Sequence, residues 1–147
     1  MTGVSHPHYI VDASIAVKWF VPVENDADLA EALLKQFISR KVFLIVPAAL
    51  FFIEVASALR GGRAGEAAVA RSLKNLWSYG FEVQSVDEML LGKANAISHA
   101  YRTSIYDAVY VALAESQGCP LITADEELVK RYKGHSTLLS LANLGLE

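Results

Sequence analysis

One cysteine, Cys119, stands in 147 residues, which excludes an intrachain disulfide and leaves core burial as the source of stability. That usage fits a reducing compartment, and a cytoplasmic location is expected. The four histidines, His6, His8, His99 and His135, have neither i, i+4 spacing nor a cysteine companion, so a zinc site is not expected. Basic charge is scarce as well: 13 Lys and Arg face 16 Asp and Glu, for a net charge of −3. This balance excludes a domain that coats nucleic acid by general attraction, so any such contact must be local. The longest apolar run, Val42 to Ile53, contains Pro47 and stops at Glu54, short of the roughly 20 residues a membrane helix needs. The first eight residues lack a basic and then apolar pattern, so no signal peptide is expected. Repeats, linkers and low-complexity stretches are missing too, and a single domain over residues 1–147 is the expectation.

What is plentiful is apolar side chain, at 53% of the residues, which is slightly above the usual share and leaves surface for a partner. Its arrangement alternates between short runs and helical stripes. Tyr9 to Val11 reads as a buried strand, and Ile15 to Phe20 as a helix stopped by Val21-Pro22. Asp26 to Arg40 sets Leu29, Leu33, Leu34, Phe37 and Ile38 on one stripe, followed by a strand over Val42 to Val46. Pro47 suits the first turn of a helix running to Leu59, and Gly65 to Tyr79 forms a second arm of a helical hairpin. Beyond Gly80 the pattern gives a strand (Phe81 to Val86), two helices (Asp87 to Tyr101, Ser104 to Gln117), a strand (Pro120 to Thr123), a helix (Asp125 to Tyr132) and a last strand (Thr137 to Leu141). Strands separated by helices call for an α/β fold with a central parallel sheet between helical layers.

Four acids sit where chemistry is expected. Asp12 and Asp125 each follow a strand and open a helix, at the end of the sheet where ligands bind. Asp107 opens a helix behind Ser104 at capping-box spacing, and Thr123 with Glu126 is a further possible capping box. A helix cap is the plain structural reading of Asp12, Asp107 and Asp125. Glu54 has no such excuse. It shares a stripe with Leu50 and Phe51 in the most apolar helix, where a lone carboxylate costs several kcal/mol unless partnered. Four carboxylates in one cleft raise each other's pKa or gather cations. Oxygen-only donors point to a hard ion, Mg²⁺ or Mn²⁺, which suits phosphodiester hydrolysis.

The segments Val11-Asp12-Ala13-Ser14, Lys18-Trp19-Phe20, Ile53 to Leu59, Ser104 to Ala114 and Leu121 to Asp125, in that order, resemble the PIN-domain ribonucleases and, among them, the VapC toxins of toxin-antitoxin pairs. The resemblance implies a three-layer α/β/α PIN-like fold, Mg²⁺- or Mn²⁺-dependent endoribonuclease activity, a homodimer and a cognate antitoxin protein. Carried over by position, Asp12, Glu54, Asp107 and Asp125 match the family's catalytic and metal-binding quartet, with Asp12 and Asp107 as direct ligands and Asp125 at its most variable place. Ser14 and Thr123 match supporting hydroxyl positions.

Lys18, Arg60 and Arg63, with Arg71 and Lys74 nearby in sequence, are candidate RNA contacts, against the plain reading of solvated helix faces. Trp19, Phe20, Phe51, Phe52, Tyr106 and Tyr110 read as core or interface rather than base-stacking platforms. A catalytically silent PIN-fold module that binds protein or RNA is the alternative function. An aspartyl-phosphate enzyme is disfavoured because the position two beyond Asp12 is Ser14, not an acid.

Overall fold

A computed structural model describes residues 5–135 and 137–145. Five parallel strands form one sheet: β1 (His8–Val11), β2 (Phe43–Pro47), β3 (Glu82–Gln84), β4 (Leu121–Thr123) and β5 (Leu138–Ser140), in the order β3-β2-β1-β4-β5. Among the described residues seven helices flank it: α1 (Ala13–Phe20), α2 (Ala27–Ile38), α3 (Leu50–Arg60), α4 (Glu66–Ser78), α5 (Glu88–Tyr101), α6 (Ile105–Gln117) and α7 (Glu126–Arg131). This is the α/β/α arrangement and element order expected from the periodicity.

The chain first builds outward from β1 through β2 to β3, then crosses to the other side of β1 for β4 and β5. The switch of direction opens a crevice between the carboxyl ends of β1 and β4, the standard place for a ligand on an open parallel sheet. Ile10 and Val11 pair with Leu121 and Ile122, so Asp12 comes level with Thr123 at the carboxyl edge of the sheet. Ile10, Val11, Leu44, Ile45, Val46, Leu121 and Ile122 are buried, which follows from helical cover on both faces.

Three expectations are corrected. Pro47 ends β2 instead of opening a helix; it lies beyond the last β1–β2 pair, Ile10 with Ile45, where its missing N–H breaks no bond on that side. The helix waits until Leu50, after a tight turn in which the Leu50 N–H donates to the Ala48 carbonyl at 2.7 Å and Ala49 takes φ 60°. β3 is shorter than the run from Phe81 to Val86, because β2 ends at Pro47 opposite Gln84 and offers no further partner. Ile38, at the end of its helix, is exposed rather than packed on the stripe of Leu33 and Leu34.

Every residue of α6 from Ala108 to Ala114 is buried, so this helix runs through the core rather than along it. Gly118 stops it at φ 65°, a left-handed turn that an L side chain resists. Cys119 follows, half-buried, at the amino end of β4 and therefore at the rim opposite Asp12 and Asp125. Burial, with the Glu82 carboxylate nearby, pushes its thiol pKa up.

Candidate active site

Asp12 follows the central strand, and extended backbone (φ −96°, ψ 175°) turns it into the N-cap of α1. The cap reading is therefore right as far as it goes: Oδ1 accepts the Ser14 N–H at 3.1 Å. A cap needs no more, yet Asp12 has more. The Ser14 hydroxyl also donates to Oδ1, and the Thr123 hydroxyl donates to Oδ2 at 2.5 Å. Both hydroxyls are fixed in turn, since Ser14 Oγ accepts the Ala124 N–H at 3.0 Å and Thr123 Oγ1 accepts the Asp125 N–H at 3.1 Å. Ser14 and Thr123 thus stitch the start of α1 to the end of β4 through one carboxylate.

Three donors normally hold a carboxyl pKa down. Here burial outweighs them and, with the negative charges of Asp107 and Asp125 pushing the same way, raises Asp12 from 3.8 to about 6. Such a group favours a positive charge beside it.

Glu54 is half-buried on α3, and its Oε1 accepts a hydrogen bond from the Tyr110 hydroxyl at 2.7 Å. Burial raises its pKa, Tyr110 opposes the rise, and Asp107 adds to it. The sequence identified Glu54 as needing a partner but missed which one. The signal was there in the helix period: Tyr110 lies three residues after Asp107, on the same face of α6.

Asp107 is half-buried in the first turn of α6, where its N–H donates to the Ser104 side-chain oxygen at 3.1 Å. Burial raises its pKa, Ser104 lowers it, and Asp125 raises it. Asp125 is exposed at the N-terminus of α7, and its Oδ1 accepts from the Glu127 and Leu128 N–H groups at 3.0 and 3.2 Å. The predicted box between Thr123 and Glu126 does not form; Thr123 turns to Asp12 and Glu126 accepts from the Ser140 hydroxyl at 2.8 Å.

Asp107 is the hub of the group: its charge reaches Asp12 and Glu54, and that of Asp125 reaches Asp12 and Asp107. Among the described residues, however, no three acidic, histidine or cysteine side chains close around one point tightly enough to grip an ion. In kind and charge the donors suit a hard divalent ion.

Of the candidate RNA contacts, Lys18 is engaged: its Nζ donates to the Asn25 carbonyl at 2.6 Å and pairs with Glu24 at 3.3 Å, and its side chain is only 11% exposed. Arg60, at the end of α3, and Arg63, in the turn to α4, are exposed, as are Arg71 and Lys74 on α4. Trp19, Phe51 and Phe81 pack together in the core, Phe52 stacks on Trp77 at 3.6 Å, and Tyr106 alone of the six named aromatics is largely exposed.

Comparison with known proteins bears on this site. Residues 9–134 match the PIN domain family. Ribonuclease VapC3 of Pyrobaculum aerophilum is 33% identical over 129 residues, covering 84% of this chain and 93% of that protein. The crystal structure of PAE2754 from the same organism superposes with a TM-score of 0.65 at 27% identity, covering 92% of this chain and 85% of the other. A toxin-antitoxin complex from Klebsiella pneumoniae contains a chain of the same fold, with a TM-score of 0.62 at 15% identity and coverage of 90% and 97%. With β2 to β4, nearly all of β1 and all four acids inside the matched span, the chain belongs to the PIN-domain family and is a relative of the VapC proteins.

Proposed function

We propose that this chain is a single-domain endoribonuclease over residues 1–147, dependent on Mg²⁺ or Mn²⁺, and the toxin of a toxin-antitoxin pair. One observation carries the reading. A buried carboxylate, Asp12, is held by three donors and still has its pKa raised to about 6, with Asp107 and Asp125 adding negative charge around it. A fold has no structural use for that concentration of charge, whereas a cation site does.

In this reading Asp12 and Asp107 hold the ion directly, and Glu54 and Asp125 complete or orient its shell. Ser14 and Thr123 keep both Asp12 oxygens in place. When bound, the ion supplies charge neutralisation at the scissile phosphate and acidifies the attacking water. Glu54, whose pKa burial raises, is the carboxylate we assign to accept that water's proton. RNA as substrate is supported by the relation to a protein named as a ribonuclease. Exposed Arg60 and Arg63 are the phosphate contacts assigned to the substrate.

An antitoxin partner is supported by the fold shared with a toxin-antitoxin complex. A homodimer is supported by the apolar surface left open at Met89, Leu91 and Tyr106. No helix of the described residues is long and apolar enough to cross a membrane, and with one cysteine this supports a cytoplasmic site of action. The alternative, a catalytically silent PIN-fold module that binds protein or RNA, draws on the observation that no three ligating groups close around a point among the described residues.

The purified chain, supplied with Mn²⁺ or Mg²⁺, is expected to cut a structured RNA and to stop when a chelator is added. Asp12→Asn or Asp107→Asn should reduce the rate by about a hundredfold or more. Undiminished cleavage in both variants would remove the mechanism, and absence of both metal binding and cleavage in the wild type would select the silent module.

A further inference from the structure

We propose that Tyr110 is a positioning residue for Glu54, fixing one carboxylate oxygen so that the other faces the acid cluster. The inference rests on the nuclease reading above.

Tyr110 is 1% exposed, within the stretch of α6 that is buried from Ala108 to Ala114. A buried phenol must find a partner for its hydroxyl, and the ring alone could have been supplied by phenylalanine at no such cost. Here the hydroxyl reaches across 56 positions of sequence to Glu54 on α3, and among the described residues it makes no other hydrogen bond. Glu54 Oε2 has no hydrogen-bond partner among the described residues, so the single bond to Oε1 leaves the carboxylate half held and half available.

Three features make the pair more than core packing. A half-buried glutamate keeps much of its rotamer freedom, and a fixed donor removes most of it. The direction of the bond is set by chemistry: an ionised carboxylate has no proton to give, so the Tyr110 hydroxyl must point its own at Glu54 Oε1. The same helix also carries Asp107 three residues earlier. α6 therefore presents one acid itself and holds a second, so that Asp107 and Glu54 keep their spacing even if the surrounding helices shift.

The test is a cycle of Tyr110→Phe, Glu54→Ala and the double variant, each followed by thermal unfolding, Mn²⁺ calorimetry and steady-state cleavage. Tyr110→Phe should weaken Mn²⁺ binding by about tenfold and lower kcat with KM for RNA unchanged. In the Glu54→Ala background the same change should alter neither quantity by more than about twofold. Full additivity of the two losses, or wild-type Mn²⁺ affinity in a folded Tyr110→Phe, would overturn the assignment. Should Tyr110→Phe fail to fold, Glu54→Asp replaces it, since its shorter carboxylate falls out of the hydroxyl's reach; an unchanged Mn²⁺ affinity there would overturn it equally. Wild-type protein that neither binds Mn²⁺ nor cuts RNA would instead remove the nuclease reading, and the inference with it.

Discussion

The hydroxyls of Tyr132 and Thr103 lie 2.7 Å apart, tying the end of α7 to the turn between α5 and α6. Tyr132 is 1% exposed, and Arg131 beside it donates to the Arg102 carbonyl at 3.1 Å. The Thr103 carbonyl in turn accepts from the Ser98 hydroxyl at 2.6 Å. Asp125 starts the helix that ends at this tie, and Asp107 lies just beyond the turn that it fixes. The contact thus joins the helix that Asp125 opens to the turn that precedes Asp107.

Tyr132→Phe should cost about 1 kcal/mol in urea unfolding, because the half-buried Thr103 hydroxyl loses its partner. Adding Thr103→Val should recover part of that loss, since no orphaned hydroxyl remains. Cleavage by Tyr132→Phe should fall severalfold while RNA affinity stays unchanged. Wild-type cleavage rates in a measurably destabilised variant would show that the tie serves stability alone.

Asp12 makes the stability of the metal-free protein depend on pH in a defined direction. Its folded pKa, about 6, lies above the ordinary 3.8, so the folded state holds the proton more tightly than the unfolded chain. The resulting stabilisation is fully present below the lower value and is lost as pH rises through the upper one. Neutral solution therefore carries a penalty of ~3 kcal/mol from this group. Asp12→Asn should abolish cleavage yet raise the melting temperature of the metal-free protein near neutrality. The difference between variant and wild type should shrink on acidification. Mn²⁺ should stabilise the wild type more at about pH 8 than at about pH 5, where it competes with the proton. Equal melting temperatures for variant and wild type across this range would contradict the assigned burial of Asp12.

The cations should divide into two classes in a filter-binding assay. Lys18→Ala leaves RNA affinity within about twofold of wild type, because its ammonium is occupied by Glu24 and the Asn25 carbonyl. Arg60→Ala and Arg63→Ala, which remove exposed charges, weaken binding several-fold, and each reduces the salt slope by about one. A Lys18→Ala defect as large as that of the arginines would mean that the lysine leaves its loop to meet substrate.

The element order was legible in the sequence because each strand here is a short apolar run bounded by a turn signal, and each long helix carries a stripe and a stop. What escaped was decided by neighbours. Whether Pro47 opens a helix or ends a strand depends on where β1 stops pairing, and the length of β3 depends on where β2 ends. Asp12, Asp107 and Asp125 were legible as candidates because strand ends and helix starts bear punctuation that survives in one dimension, and Glu54 because it is a carboxylate in an apolar helix. Their partners were not. The Tyr110–Glu54 and Tyr132–Thr103 bonds join residues 56 and 29 positions apart; the helix period puts Tyr110 on the face of Asp107 but does not say which distant residue its hydroxyl meets.

Cys119 lends the molecule a practical property. Being the sole thiol and lying across the sheet from the carboxylates, it is a native attachment point for an optical reporter that leaves the cleft untouched. Its suppressed ionisation means that maleimide coupling calls for alkaline buffer and runs slowly near neutrality. A dye placed there would follow unfolding without an engineered cysteine.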